Sequence, residues 1–189
     1  LGHPVAVISN GSLVGRPEVR EELALADWVS LKLDAADEQT WRRVNRPHRG
    51  LDLASIQQGM IAFAKTFDGT LATETMLVEG VNDDEVSLRR VADILGRLQP
   101  DAAYVSIPTR PPAESRVHAP DEAAVNRAYQ ILHENIHRLE YLTGYEGDAF
   151  ASTGNVRRDL LSITAVHPMR AEAVCALVEK AGGDMGTAR

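Results

Sequence analysis

The feature that most restricts the fold is a regular alternation of short apolar runs with longer segments of helical period. "VAVIS", "WVSLKL", "TLATETMLV" and "AAYVSIP" read as strands, and each is followed by a stretch that repeats its apolar residues every three or four places. In "LDLASIQQGMIAFAKTF", Ile56, Met60, Phe63 and Phe67 fall on one helix face, and in "DDEVSLRRVADILGRL" Leu88, Val91, Leu95 and Leu98 do the same. Local signals mark the ends. Pro17 suits a first helical position, Asp37 suits an N-cap before "EQTWRRV", and Gly80 with Asn82 turns the chain after the third strand. The proline-rich "PTRPP" stops the fourth strand, and "DEAAVNRAYQILHENI" forms a further helix. Strands alternating with helices predict βα units on a parallel sheet.

Beyond residue 137 the rhythm changes. "RLEYLTGYEG" reads as loop or short strand, and "NVRRDLLSITAVHPMRAEAVCALVEKAG" reads as helix, tight turn at His167 and Pro168, then helix. That pattern fits a helix-turn-helix or the start of a winged helix, and equally a plain packing pair. The expected organisation is therefore residues 1–136 as the βα body and 137–189 as a helical extension.

Composition removes several function classes. A single cysteine, Cys175, excludes an internal disulfide and any site built on several thiolates of this chain, and its apolar neighbours suggest a core position. The net charge of -7 argues against broad, nonspecific nucleic-acid binding. No apolar run approaches the roughly 20 residues that cross a bilayer, and "LGHPVAVISNG" lacks the flanks of a signal peptide. A cytoplasmic location without a membrane partner is the expectation, and the abrupt entry into a strand from Leu1 suggests part of something longer.

Chemistry in parallel βα folds collects at the carboxyl ends of strands. The first strand ends in Ser9, Asn10 and Gly11. The second places Ser30, Lys32 and Asp34 at every second position, opposite Val29, Leu31 and Leu33, so the three polar groups share a surface. The third brings Glu74 two places before Met76, and the fourth ends in Ser106, Pro108, Thr109 and Arg110. A buried lysine or carboxylate needs a partner or a polar ligand, so these ends form either a structural ion-pair network or a site. Asp83, Asp84 and Glu85 at a helix start are read as capping charges, and His118, His133 and His137 as surface histidines without metal-ligand spacing.

The runs "ISNGSL", "ADWVSLKLDAADEQTWRRVNRPH", "TETMLVEGVNDDE" and "YVSIPTRPPAE" resemble the later strands of the radical S-adenosylmethionine (radical SAM) family, in the branch related to tRNA wyosine synthetases and pyruvate formate-lyase activating enzymes. The tail is similar to the winged-helix extension of some members. The resemblance implies a TIM-type (βα) barrel, here partial, with strands three to six present. It implies SAM and a [4Fe-4S] cluster as cofactors of a full-length parent, an external electron donor, and hydrogen abstraction by a 5'-deoxyadenosyl radical. By position, Asn10, Ser30, Lys32, Asp34, Glu74, Met76, Ile107 and Arg110 would surround SAM. The resemblance names no catalytic residue in this chain and leaves the substrate open between an RNA nucleoside and a residue of a partner protein.

The family's C-x-x-x-C-x-x-C loop and its glycine-glycine-glutamate stretch do not occur here, so no cluster or metal is expected on these 189 residues and the isolated chain is expected to be inactive. An exposed barrel edge would then favour self-association. Two other readings stay open: a nucleic-acid or protein binding module on a barrel scaffold, and a metal-free (βα)-barrel enzyme with Lys32 as a Schiff base.

Overall fold

Five strands, β1 (Ala6–Ser9), β2 (Trp28–Lys32), β3 (Thr70–Met76), β4 (Ala102–Ser106) and β5 (Leu139–Leu142), pair in the order β1-β2-β3-β4-β5, all parallel. Helices join consecutive strands: α1 (Pro17–Leu23), then α2 (Glu38–Asn45) and α3 (Leu53–Ala64), then α4 (Glu85–Leu98) and α5 (Glu122–His133). Because parallel crossovers are right-handed, a sheet wound in sequence order receives every helix on the same face. The core shows this. Val29, Leu31 and Leu33 of the β2 segment, Ala103 and Val105 of β4 and Leu139 of β5 pack with Trp41, Phe63, Leu95 and Leu132 from the helices. The alternate residues, Ser30, Lys32, Glu74 and Ser106 among them, therefore line the other face.

The structure, a computed structural model, describes residues 2–109, 112, 114–142, 155–164, 169 and 171–181. The chain divides into two compact units, Leu1–Pro108 with Pro112–Thr143, and Thr109–Pro111 with Gly144–Arg189. The first holds the sheet and α1 to α5. The second carries α6 (Val156–Thr164) and α7 (Ala171–Lys180), the expected pair of helices, while the turn at His167 and Pro168 lies outside the described residues.

Local chemistry explains the helix ends. Asp37 accepts from the Thr40 N–H at 3.0 Å, Asp84 from Ser87 at 3.0 Å and Asp121 from Ala124 at 2.7 Å, each an N-cap satisfying an otherwise orphaned amide. Pro47 disfavours a right-handed helical conformation at Arg46, and α2 ends there with a left-handed φ of 47°.

Two expectations are sharpened and one is corrected. The stretch read as loop or short strand forms β5, which pairs with β4 and adds a fifth strand to the four expected. Among the described residues β1 and β5 are the edges, so the sheet is open, with the exposed edges expected of a partial barrel. Cys175 is half-buried on α7 instead of sitting in a core.

Candidate functional site

The pleat and the register of β2 and β3 build the site. Lys32 lies directly across from Glu74, and Met76 directly across from Ser106 on the next strand. Such cross-strand neighbours lie within side-chain reach, so the lysine and the glutamate meet. The Lys32 ammonium donates to Glu74 Oε1 at 3.0 Å, and Ser106 Oγ donates to the same oxygen at 2.8 Å. Asp34 stands on the same side two residues further, its Oδ1 3.6 Å from the Lys32 Nζ. Lys32 and Glu74 keep 28% of their side-chain surface, whereas the Asp34 side chain keeps none. The reachable groups are thus the lysine and the glutamate.

Asp34 is held by two hydrogen-bond donors and one nearby charge. The Met76 N–H reaches Oδ1 at 2.8 Å, the Asn45 side-chain amide at the end of α2 reaches Oδ2 at 2.7 Å, and Lys32 adds its charge. Burial nevertheless pushes the Asp34 carboxyl above its ordinary range, and Glu74 pushes the same way, while Lys32, Met76 and Asn45 pull against them. A carboxyl raised in the fold binds its proton more tightly there than in the unfolded chain. Its stabilisation is complete below the unfolded pKa and is lost as pH rises through the folded one. The difference in urea stability between the wild type and Asp34→Asn is therefore expected to shift in favour of the variant as pH rises from about 3 toward neutrality. A pH-independent difference would remove Asp34 as a buried titrating group.

A cavity of about 550 Å³ opens beside these residues at the strand ends. Its polar lining includes Asn10, Lys32, Asp34 and Asn45, and Trp41, Leu51 and Met76 contribute apolar wall. An amphipathic lining of this size suits a drug-sized or cofactor-sized molecule.

The structure thus brings together Asn10, Lys32, Asp34 and Met76 around one cavity, with Glu74 joined to them through Lys32. Ser30 is buried one pleat back on the same face as Lys32. Ile107 packs against the hydrophobic core, on the helix side, and Arg110 lies outside the described residues. His118, His133 and His137 are exposed. Among the described residues no group of three or more His, Cys, Asp or Glu could hold a metal ion.

Sequence reasoning missed Asn45 and undervalued Asn82. Asn82 is buried, donates to the Asp34 and Met76 carbonyls at 2.8 Å each, and accepts from the Val78 N–H at 2.8 Å. It ties the end of β2 to the end of β3. The only advance signal was the demand of a buried carboxylate for donors, which does not say which amide supplies them.

No known family's sequence profile matches the chain. It is 39% identical over 179 residues to a UPF0026 protein of Methanocaldococcus jannaschii, covering 94% of this chain and 56% of that protein. It is 34% identical over 110 residues to a UPF0026 protein of Synechocystis, covering 58% of this chain and 41% of that protein. The chain therefore spans about half the length of the curated relatives it matches.

Among solved structures it shares the fold of a domain of pyruvate-formate lyase-activating enzyme from Bacteroides vulgatus, with a TM-score of 0.59 and 20% identity, covering 76% of this chain and 83% of that one. A radical SAM methyltransferase from Sphaerobacter thermophilus gives 0.54 and 20%, covering 74% and 40%. TYW1 with a lysine-pyruvate adduct bound gives 0.55 and 20%, covering 71% and 42%. The five-stranded parallel sheet with its helices is thus an α/β arrangement found in radical SAM enzymes.

Proposed function

We propose that the Lys32, Asp34 and Glu74 cluster and its cavity form the strand-end part of a SAM site, in a protein that performs radical SAM chemistry on a substrate still to be identified. The observation that carries this reading is the charge balance of the cluster. Two acidic groups face one ammonium, and Glu74 is the acid that keeps exposed surface, next to an apolar wall. A sulfonium with an attached base matches that pattern: the cation meets the Glu74 carboxylate and the flat base meets Met76 or Trp41. The fold shared with radical SAM enzymes supports the same reading.

SAM would supply hydrogen-abstracting radical chemistry only with one electron from a reductant that lies outside these residues. This chain's residues would hold and orient it: Glu74 fixed by Lys32 and Ser106, Asp34 fixed by Met76 and Asn45. A three-thiolate [4Fe-4S] cluster does not fit these residues, because the sequence holds one cysteine and Cys175 lies on α7 in the other unit.

A Schiff base on Lys32 is the less favoured use of this site. Attack on a carbonyl needs the neutral amine, and removing the Lys32 proton would leave Asp34 and Glu74 without their shared cation.

Calorimetric titration checks the proposal. SAM is expected to bind about tenfold more tightly than S-adenosylhomocysteine, which lacks the sulfonium charge, and Glu74→Gln is expected to erase most of that preference. Equal affinity of the wild-type chain for the two ligands would overturn the reading.

A further inference from the structure

A second cavity, of about 630 Å³, lies on the other side of the turn that ends α2. Val44, Arg46 and Met76 line both cavities, so the end of α2 is a wall between them. The charged lining of the second is Arg43, Arg46 and Arg116 against Glu79 and Glu114, an excess of one positive charge. In a chain of net charge -7 this is a local reversal: residues 40–49, "TWRRVNRPHR", carry four arginines and no acid.

The arrangement within the cavity is specific. The Glu114 carboxylate is clamped by two guanidinium groups, Arg46 pairing with Oε1 and Arg116 Nε donating to Oε2 at 2.7 Å. Arg43 meets the Gly80 carbonyl at 2.9 Å, a neutral partner that leaves its charge uncompensated there. Two guanidinium groups converging on one oxyanion, each through one nitrogen, with a third cation on the same wall, form an arrangement that suits a phosphate. Arg46 and Arg116 keep 56% and 74% of their side-chain surface, so an incoming anion can reach both. The backbone supports the same use, since the left-handed turn at Arg46 before Pro47 sets that side chain at the rim between the cavities.

We infer that this second cavity is a phosphate-binding site in which Glu114 is an internal stand-in, displaced when a phosphate carried by a nucleotide or a nucleic-acid strand takes its place between Arg46 and Arg116. The site stands independently of whether the Lys32 cavity takes SAM. None of its charged residues belongs to the Lys32, Asp34 and Glu74 cluster, and the wall that the two cavities have in common would place a phosphate-bearing molecule beside that cluster.

Removing the stand-in charge tests the inference. Glu114→Gln in the full chain is expected to tighten binding of adenosine 5'-monophosphate, of a short single-stranded oligoadenylate, or of both by about tenfold, with no gain for adenosine, which has no phosphate. A gain for the monophosphate assigns the site to a nucleotide, and a gain for the oligonucleotide alone assigns it to a strand. Adding Arg46→Gln to Glu114→Gln is expected to return affinity to the wild-type value, and Glu21→Gln on exposed α1 is expected to change nothing. No gain with either phosphate probe, or an equal gain with adenosine or from Glu21→Gln, overturns the inference. The preference for SAM over S-adenosylhomocysteine is expected to be unchanged in Glu114→Gln, so failure of one assignment is readable apart from failure of the other.

Discussion

Alanine at position 59 is expected to cost the protein about 2 to 4 kcal/mol of stability, although alanine is the better helix former. Gly59 sits in the middle of α3, where glycine is about 1 kcal/mol worse than alanine in an exposed helix. Here a Cβ would stand 2.3 Å from the Val14 carbonyl oxygen, 2.6 Å from its carbon and 2.7 Å from Gly15 Cα. All three are backbone atoms of the turn after β1, so no rotamer change relieves the contact. A Cβ on Gly15 would in turn meet Ser55 Oγ at 2.6 Å and the Ser55 carbonyl oxygen at 3.1 Å, so α3 and that turn lie in near-direct backbone contact. Overpacking then outweighs propensity, and either α3 or the turn that positions Asn10 must move. Gly96 in α4 is the matched control. Its Cβ would find Asn135 Cβ at 3.4 Å and no backbone nearer, so Gly96→Ala is expected to be neutral or to stabilise by up to about 1 kcal/mol. Urea midpoints of the two variants should therefore move apart. If Gly59→Ala matches Gly96→Ala, α3 does not rest on the turn as described.

Asn82→Asp is expected to be the most damaging change around the site, at about 3 to 5 kcal/mol near neutral pH, despite being nearly isosteric. The native amide donates to two carbonyls at the ends of β2 and β3 and accepts one N–H. An aspartate keeps the acceptor but turns a second oxygen toward the carbonyls of Asp34 and Met76, inside a region where residue 82 is 2% exposed. Such a carboxyl would bind its proton more tightly in the fold than in the unfolded chain, so the deficit is expected to shrink as pH falls and to grow as it rises. Asn82→Ala loses the same three bonds without adding a charge and is expected to cost about 2 to 4 kcal/mol with no such pH dependence. Denaturation of both variants at pH 5 and pH 8 separates them. An Asn82→Asp protein within about 1 kcal/mol of wild type at both pH values would mean that the amide does not staple the two strands.

The elements that sequence reasoning found are those whose signal is local. The first four strands, the helix at Pro17 and the Asp37 cap all follow from residues a few places apart, as does the amphipathic stripe of Ile56, Met60 and Phe63. β5 was left between loop and strand because only Leu139 of its four residues is buried, which gives no alternation to read. Period-two counting put Ser30, Lys32 and Asp34 on one face, and the structure agrees. The same counting opposes Ile107 to Ser106, so its place on the helix side was legible, although its assignment by resemblance pointed to the site face. Asn45 was not legible, because an asparagine at a helix end reads as a cap or a surface residue wherever it occurs.

By itself the sequence determined the order of strands and helices, the parallel sheet, and which residues share each strand face. These depend on backbone periods and capping chemistry that act within one turn or one pleat. Only the tertiary structure decided that Lys32 faces Glu74, that Asn45 and Asn82 secure Asp34, and that Arg46 and Arg116 close on Glu114. The physical reason is that strand register and loop packing are set by burying a common core, through contacts between residues far apart in the chain. A charged side chain's partner follows from that packing and from no property of its own neighbours in sequence.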